Sequence, residues 1–319
     1  MRSRLISTAA TALVGAGLFG AAACSGGSGS SGAPFPSRPQ PSVSPSASAT
    51  PTQPPKPPPS LPRGGRLIFP NFRVVAYYGG SDGPGLGVLG QGTPDQAARA
   101  VERTAGLYAF AGRPVQPALE LITTVALAYP GPDGIYTSRG DPAAVQRYLT
   151  AARAHKELLV LDFQPGQGDF LTQIKRFEAF VSQPDVGIAI DPEWHMQPGQ
   201  IPGTVFGSST AASVNEVSAY LRGIVIKYRL PQKLFIVHQF RESMLPDRSL
   251  ILARSGLATV FHADGNADPR TKIQVYNALA FPGLPFARGF KLFFTRDTPL
   301  MTPQQTMAVT PQPDLVTYQ

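Results

Sequence analysis

The chain has a single cysteine, Cys24, so no intrachain disulfide can staple it. No acidic residue occurs in residues 1–65, where Arg2, Arg4, Arg38, Lys56 and Arg63 all fall. Setting those five aside leaves 23 of the 28 basic residues against 20 acidic ones, so the net charge of +8 belongs largely to the N-terminal part. Aromatic residues are not interleaved with basic ones, and nothing in the composition argues for a nucleic-acid surface. Neither HxH nor HExxH spacing occurs among the four histidines, which removes the strongest zinc signatures. The glycine-rich stretch SDGPGLGVLGQG lacks GxGxxG spacing before a helix and reads as a loop. The one apolar N-terminal run, LISTAATALVGAGLFGAAA, is too short and too rich in Ala and Gly to favour a permanent membrane span.

That run follows the basic stretch MRSR, which is the layout of an export signal. Cys24 comes directly after three alanines and resembles the lipobox cysteine of bacterial lipoproteins, with Ala21 where Leu is usual. The resemblance implies lipidation at Cys24 and a membrane anchor on the outer face of the cytoplasmic membrane. An ordinary secretory signal is the alternative. Residues 25–65 are Gly/Ser-rich and then Pro-rich, with no hydrophobic periodicity, and cannot bury enough apolar surface to offset the entropy of ordering. At about 3.1 Å per residue in polyproline II form, roughly forty residues span up to about 100 Å. The organisation expected is an export signal over 1–24, a disordered linker over 25–65 and a folded domain over 66–319.

Within the last segment, eight apolar strand-like runs recur at 73–80, 119–126, 158–163, 186–191, 233–240, 257–264, 290–295 and 314–319. Segments with helix-start chemistry separate most of them. Thr93-Pro94-Asp95-Gln96 offers a capping residue, a proline at the first helical position and a Gln for a capping box. Asp141-Pro142 repeats the device before AAVQRYLTAARAHK. Further helices are expected in FLTQIKRFEAFV, AASVNEVSAYLRGIVIKY, RSLILARS, DPRTKIQVYNALA and PQQTMAV. Strands alternating with helices imply parallel pairing and right-handed crossovers. The expected fold is an α/β (β/α)8 TIM barrel without an eighth helix, its last outer groove covered by the segment before the first strand or left irregular. A doubly wound open sheet is the alternative.

In such a barrel all strand C-termini meet at one rim, where catalytic residues of this fold are found. Polar residues fall there repeatedly: Tyr77 and Tyr78, Asp162 and Gln164, Asp191, Glu193 and His195, His238 and Gln239, His262 and Asp264, then Arg296 and Asp297. His155, on a polar helix end, reads as structural. In VGIAIDPEWHM, strand alternation puts Gly187, Ala189, Asp191, Glu193 and His195 on one face and Val186, Ile188 and Ile190 on the other. Two carboxyls on one strand face are about 6.5–7 Å apart at Cβ, and in a poorly hydrated cup their repulsion raises one pKa. Glycoside hydrolysis needs such an acid–base pair.

VGIAIDPEW also resembles the fourth-strand signature of family-18 chitinases and their barrel relatives, Asp-Gly-x-Asp-x-Asp-x-Glu. Gly187, Asp191 and Glu193 match it, whereas Val186 and Ala189 replace its first two acids. The resemblance implies that Glu193 is the proton donor and Asp191 its tuning partner. Asp297 or Asp264 is the expected carboxylate across the cup. Tyr77, Tyr78, Asp162, Gln164, Trp194, His195, His238, Gln239 and His262 are the expected substrate-binding residues, Trp194 either stacking on a sugar ring or packing under a rim loop. The expected function is an exported, wall-associated glycoside hydrolase with a carbohydrate ligand and no cofactor. A non-catalytic glycan- or partner-binding barrel and a metal-assisted hydrolase using His195, His238 and His262 are the alternatives.

Overall fold

The computed structural model describes residues 57–280 and 285–319; the stretch expected to be an export signal, Cys24 and the expected linker up to residue 56 lie outside them. The eight strands are β1 (Arg73–Gly79), β2 (Val115–Thr124), β3 (Leu158–Phe163), β4 (Val186–Ile190), β5 (Lys233–Gln239), β6 (Leu257–Ala263), β7 (Ala287–Leu292) and β8 (Leu315–Tyr318). They pair in parallel in chain order and close into a barrel through β1 and β8. The connections carry α1 (Pro94–Gly106), α2 (Pro142–Ala154), α3 (Phe170–Arg176), α4 (Glu178–Val181), α5 (Ala211–Lys227), α6 (Pro269–Ala278) and α7 (Pro303–Met307). This is a TIM-barrel-like α/β fold.

Local chemistry starts the helices. Thr93 and Gln96 form a reciprocal capping box at α1, and Thr302 and Gln305 form another at α7. Asp141, Asp169, Thr210 and Asp268 accept backbone N–H bonds at the starts of α2, α3, α5 and α6. Two expected helices differ. FLTQIKRFEAFV breaks at Phe177 into α3 and α4. RSLILARS contributes only a 3-10 turn at Arg248–Leu250, because the Asn215 side chain on α5 bonds Leu250 O (3.0 Å) and Leu252 N (2.8 Å), pinning this stretch out of helical pairing.

Strand alternation divides the core into an inside and an outside. Val74, Ala76, Ala118, Leu158, Val160, Ala189, Leu234, Ile236, Ala258, Val260 and Leu315 form the inner cluster. Leu61 and Ile68, from the segment before β1, join it and close the N-terminal end of the barrel. Ile68 N and Phe69 N donate to Gln232 Oε1 (2.7 and 3.0 Å), fixing that plug. Packing therefore begins before residue 66. The same segment does not cover β8: Val316 and Tyr318 pack instead against Ala105, Tyr108, Met301, Met307 and Val309, with Tyr108 and Tyr318 hydroxyls 2.6 Å apart.

One inner position sets the space above the core. Gly289 on β7 is in register with His262 on β6, and a Cβ there would overlap His262 Nδ1. Gly289→Ala is expected to lower stability by about 1–3 kcal/mol through overpacking. Urea denaturation checks this, and the Gly289→Ala/His262→Ala double variant should lose at least about 0.5 kcal/mol less than the sum of the two single changes, because the two sites share one volume.

Candidate functional site

Above the apolar layers the inward positions become ionisable. Tyr78 on β1, Glu120 on β2, Asp162 on β3, His238 on β5, His262 on β6, Lys291 on β7 and Thr317 on β8 continue the inward alternation, and all are buried. His238 bridges Glu120 Oε1 through Nε2 (3.0 Å) and Asp264 Oδ2 through Nδ1 (3.1 Å). Lys291 Nζ donates to the same Asp264 oxygen (2.9 Å) and lies 3.7 Å from the centre of the Tyr78 ring. Tyr78 Oη donates to Asp162 Oδ2 (2.9 Å). The His262 ring meets His238 edge-on at 5.1 Å, and among the described residues neither of its nitrogens has a hydrogen-bond partner.

This layer is the floor of a cavity of about 550 Å³ at the C-terminal mouth. Asp191, Glu193, Trp194, Asp264, Gln164, Tyr78 and Lys291 line it, together with Phe206, Phe240, Arg241 and Arg296. β4 stops at Ile190, and Asp191 caps a 3-10 turn over Pro192–Trp194, its Oδ1 accepting from Glu193 N at 3.2 Å. The turn, rather than continued strand alternation, brings Glu193 into the cup beside Asp191. Gly207 makes the turn's support possible. Its N–H donates to Glu193 O at 2.6 Å, and a Cβ there would lie 2.5 Å from His195 O. The following turn of chain holds Phe206 at the cavity wall.

The expected site residues separate into two groups. Glu193, Asp191, Asp264, Tyr78, Gln164 and Trp194 line the cup, while Asp162, His238 and His262 are buried in the layer beneath. The others lie elsewhere. Tyr77 alternates outward, bonds Thr104 Oγ1 (2.7 Å) and lines a neighbouring cleft. Gln239 also faces out, between β5 and α6. His195 is turned away by the 3-10 turn, its ring 5.2 Å from that of Phe170. Asp297 is tied below the rim, ion-paired with Lys272 (3.0 Å) and accepting from Phe293 N and Ala267 N (2.9 and 3.1 Å). β7 ends at Leu292, earlier than its apolar run suggests, so Asp297 lies in a turn past the strand. Glu120 and Lys291 were not among the expected residues. Their signal is a lone charge inside an apolar strand, LELIT and FKLFF, at an inward position.

The floor's electrostatics follow from burial against pairing. Burial works against the charged form of every group here. For Asp264, Lys291 and His238 outweigh it, so the carboxyl is held well below its ordinary range. For His238, the bonds to Asp264 and Glu120 outweigh it, and the imidazole is pushed well above its ordinary value. Lys291 is raised by Asp264. The remaining acids have no such compensation. Burial pushes Glu193 up to about 7, with Asp264 adding repulsion. Burial also lifts Asp162 to about 6, and it lifts Asp191 well above the carboxylate range, with Glu193 and Asp162 repelling it further. His262 is held well below its ordinary value by burial and by cationic His238, and stays neutral. The site thus keeps proton-bearing carboxyls at the surface of a cavity near neutral pH.

Among the described residues, no group of three or more His, Cys, Asp or Glu side chains is placed to hold a metal ion, and no helix is long and apolar enough to cross a membrane. Comparison of the chain with protein-family models, with curated proteins and with solved structures finds no match.

The raised carboxyls have a signature in stability. A native carboxyl that titrates at about 6 or 7 keeps a proton that the unfolded chain has already released near pH 4, so stability falls as pH rises through that window. Asp264 has the opposite sign, its contribution being present above its unfolded value and lost only in stronger acid. Glu193→Gln is therefore expected to flatten the decline between pH ~4.5 and ~7 relative to the parent protein. Urea midpoints measured across that range check it; parallel curves would contradict the assignment.

Proposed function

We propose that the protein is an exported, lipid-anchored cell-envelope enzyme that hydrolyses glycosidic bonds in a cell-wall or extracellular polysaccharide by carboxylate acid–base catalysis. The observation that carries this reading is Glu193: a carboxyl titrating near neutrality at the wall of an open cavity, with no hydrogen bond to its side chain among the described residues. A group poised near the working pH is the most effective general acid. Trp194 beside it offers an apolar face to a sugar ring. Export and anchoring rest on the N-terminal sequence and Cys24.

In the proposed reaction Glu193 gives its proton to the glycosidic oxygen as the bond from that oxygen to the anomeric carbon breaks. Asp191 keeps its own proton and so does not repel the carboxylate that donation leaves. Water then adds to the anomeric carbon, and its proton passes to Glu193, restoring the acid. Asp264 is unsuited to attack or to activate water, because Oδ2 is held by Lys291 and His238 and Oδ1 accepts from Gly265 N at 2.7 Å. The likeness to family-18 chitinases gains one point of support. Ala189 stands where that signature has an acid, and Asp162 of β3 is in register with it and points inward, supplying a carboxyl at that level from the next strand.

A second reading, a barrel that binds glycan without cleaving it, is favoured by one fact: with Asp297 tied to Lys272 and Asp264 fully engaged, no free carboxylate among the described residues faces Glu193 across the cup. Metal-assisted hydrolysis gains no such support, since both nitrogens of His238 bond carboxylates and His195 points away.

Release of reducing sugar from a polysaccharide panel separates the two. Glu193→Gln should lower kcat by about 10²- to 10⁴-fold with the fold unchanged by circular dichroism, and the parent's kcat/KM should fall as pH rises above about 7. Binding that survives Glu193→Gln, with no turnover by the parent protein, would establish the binding barrel instead.

A further inference from the structure

Two guanidiniums stand at the lip of the cup and, among the described residues, neither is held in an ion pair, although Arg241 is close enough to Glu193 to favour its ionised form. Arg241 follows β5, its guanidinium 4.1 Å from the centre of the Phe206 ring and 4.8 Å from that of Phe240. The two rings meet edge-on at 5.2 Å and so form a fixed bracket for it. Arg296 follows β7 and lines both the cup and the adjoining cleft of about 390 Å³. The acid next in the chain to each arginine serves another cation. Glu242 pairs with Arg248 (3.4 Å), and Asp297 pairs with Lys272 (3.0 Å). Among the described residues neither Arg241 nor Arg296 has an ion-pair partner.

The acids of the cup do not neutralise this lip. Asp264 is already matched by Lys291 and His238, Asp191 is held protonated by burial, and Glu193 is only partly ionised near neutrality. The entrance is left positive. A guanidinium stacked on aromatic faces keeps its planar edge of N–H donors free, in the geometry that grips a carboxylate or phosphate with two bonds.

We propose that the ligand of the cup is an anionic saccharide, with a carboxylate or phosphate group held by Arg241 and further negative charge along the chain drawn to Arg296 at the entry to the second cleft. This rests on the saccharide reading of the cup and adds the chemical class of the sugar.

The test uses the full chain carrying Glu193→Gln, so that bound ligand persists, on matched pairs of saccharides. One arm pairs hexuronate-containing oligosaccharides with their carboxyl-reduced forms, and the other pairs phosphodiester-linked glycan fragments with their dephosphorylated forms. The acidic member of one arm should bind about tenfold more tightly than its neutral partner, and the arm that does so identifies the anion. Adding Arg241→Gln, a change at an exposed side chain, should erase the acidic member's advantage over its neutral partner; Arg241→Lys should restore part of it, since the charge returns without the fork. Raised salt should weaken only the acidic member. Equal binding of matched members, or a preference that survives both Arg241→Gln and Arg296→Gln, overturns the anionic class while leaving the saccharide reading intact. Failure of every member to bind overturns the saccharide reading itself.

Discussion

His238 holds the barrel mouth together by standing between two carboxylates that reach it from different strands. Glu120 comes from β2, Asp264 from the end of β6, and Lys291 on β7 adds a second cation to the same Asp264 oxygen. Glu120, His238 and Lys291 are buried and Asp264 nearly so, so removing one partner strands an opposite charge in a poorly solvated interior. Buried charges are costly unless their geometry and hydrogen bonds are satisfied, and here that requirement fixes the relative heights of β2, β5, β6 and β7. The apolar layers beneath supply the driving force for closure. The ionic layer specifies which side chains may share the mouth.

Two compensated cations against more than two acids leave a remainder, and the remainder is the site. Asp264 takes the positive charge nearest to it, which leaves burial to raise Asp162, Asp191 and Glu193 above the ordinary carboxylate range. Tyr78 links the two sets, its ring under the Lys291 ammonium and its hydroxyl on Asp162. Proton-carrying acids at the cup are therefore a consequence of how the floor distributes its cations. Their upward displacement does not need a carboxylate partner across the cavity.

Much of the fold was legible because it rests on local and periodic signals. Alternation in VGIAI and LLVLDF assigns inner and outer faces, and the Thr-Pro and Asp-Pro helix starts are complete within a few residues. Alternation also separates Tyr77 from Tyr78, which adjacency in the chain does not. Three features escaped. The strand that seems to run on through Asp191 and Glu193 becomes a 3-10 turn at Pro192, which keeps Glu193 in the cup and turns His195 out of it. The run FKLFFT leaves the sheet at Leu292, so Asp297 folds back onto Lys272. Glu120 and Lys291 find their partners only across the closed barrel, at sequence separations that no local pattern encodes.

The two ends of the barrel show what those long-range placements accomplish. The N-terminal end is closed by Leu61 and Ile68, which extend the inner core. The C-terminal end is not closed in the same way, and Glu193 and Asp191 are left lining an open cavity. The molecule instead supports that end from the side. Backbone contact between Gly207 and the Glu193 carbonyl lets the 204–208 stretch lie flush against the 3-10 turn that carries Glu193, and this sets Phe206 against Phe240 with Arg241 over both. A wall made this way is rigid without covering the acids, and it presents its one charged edge to whatever enters.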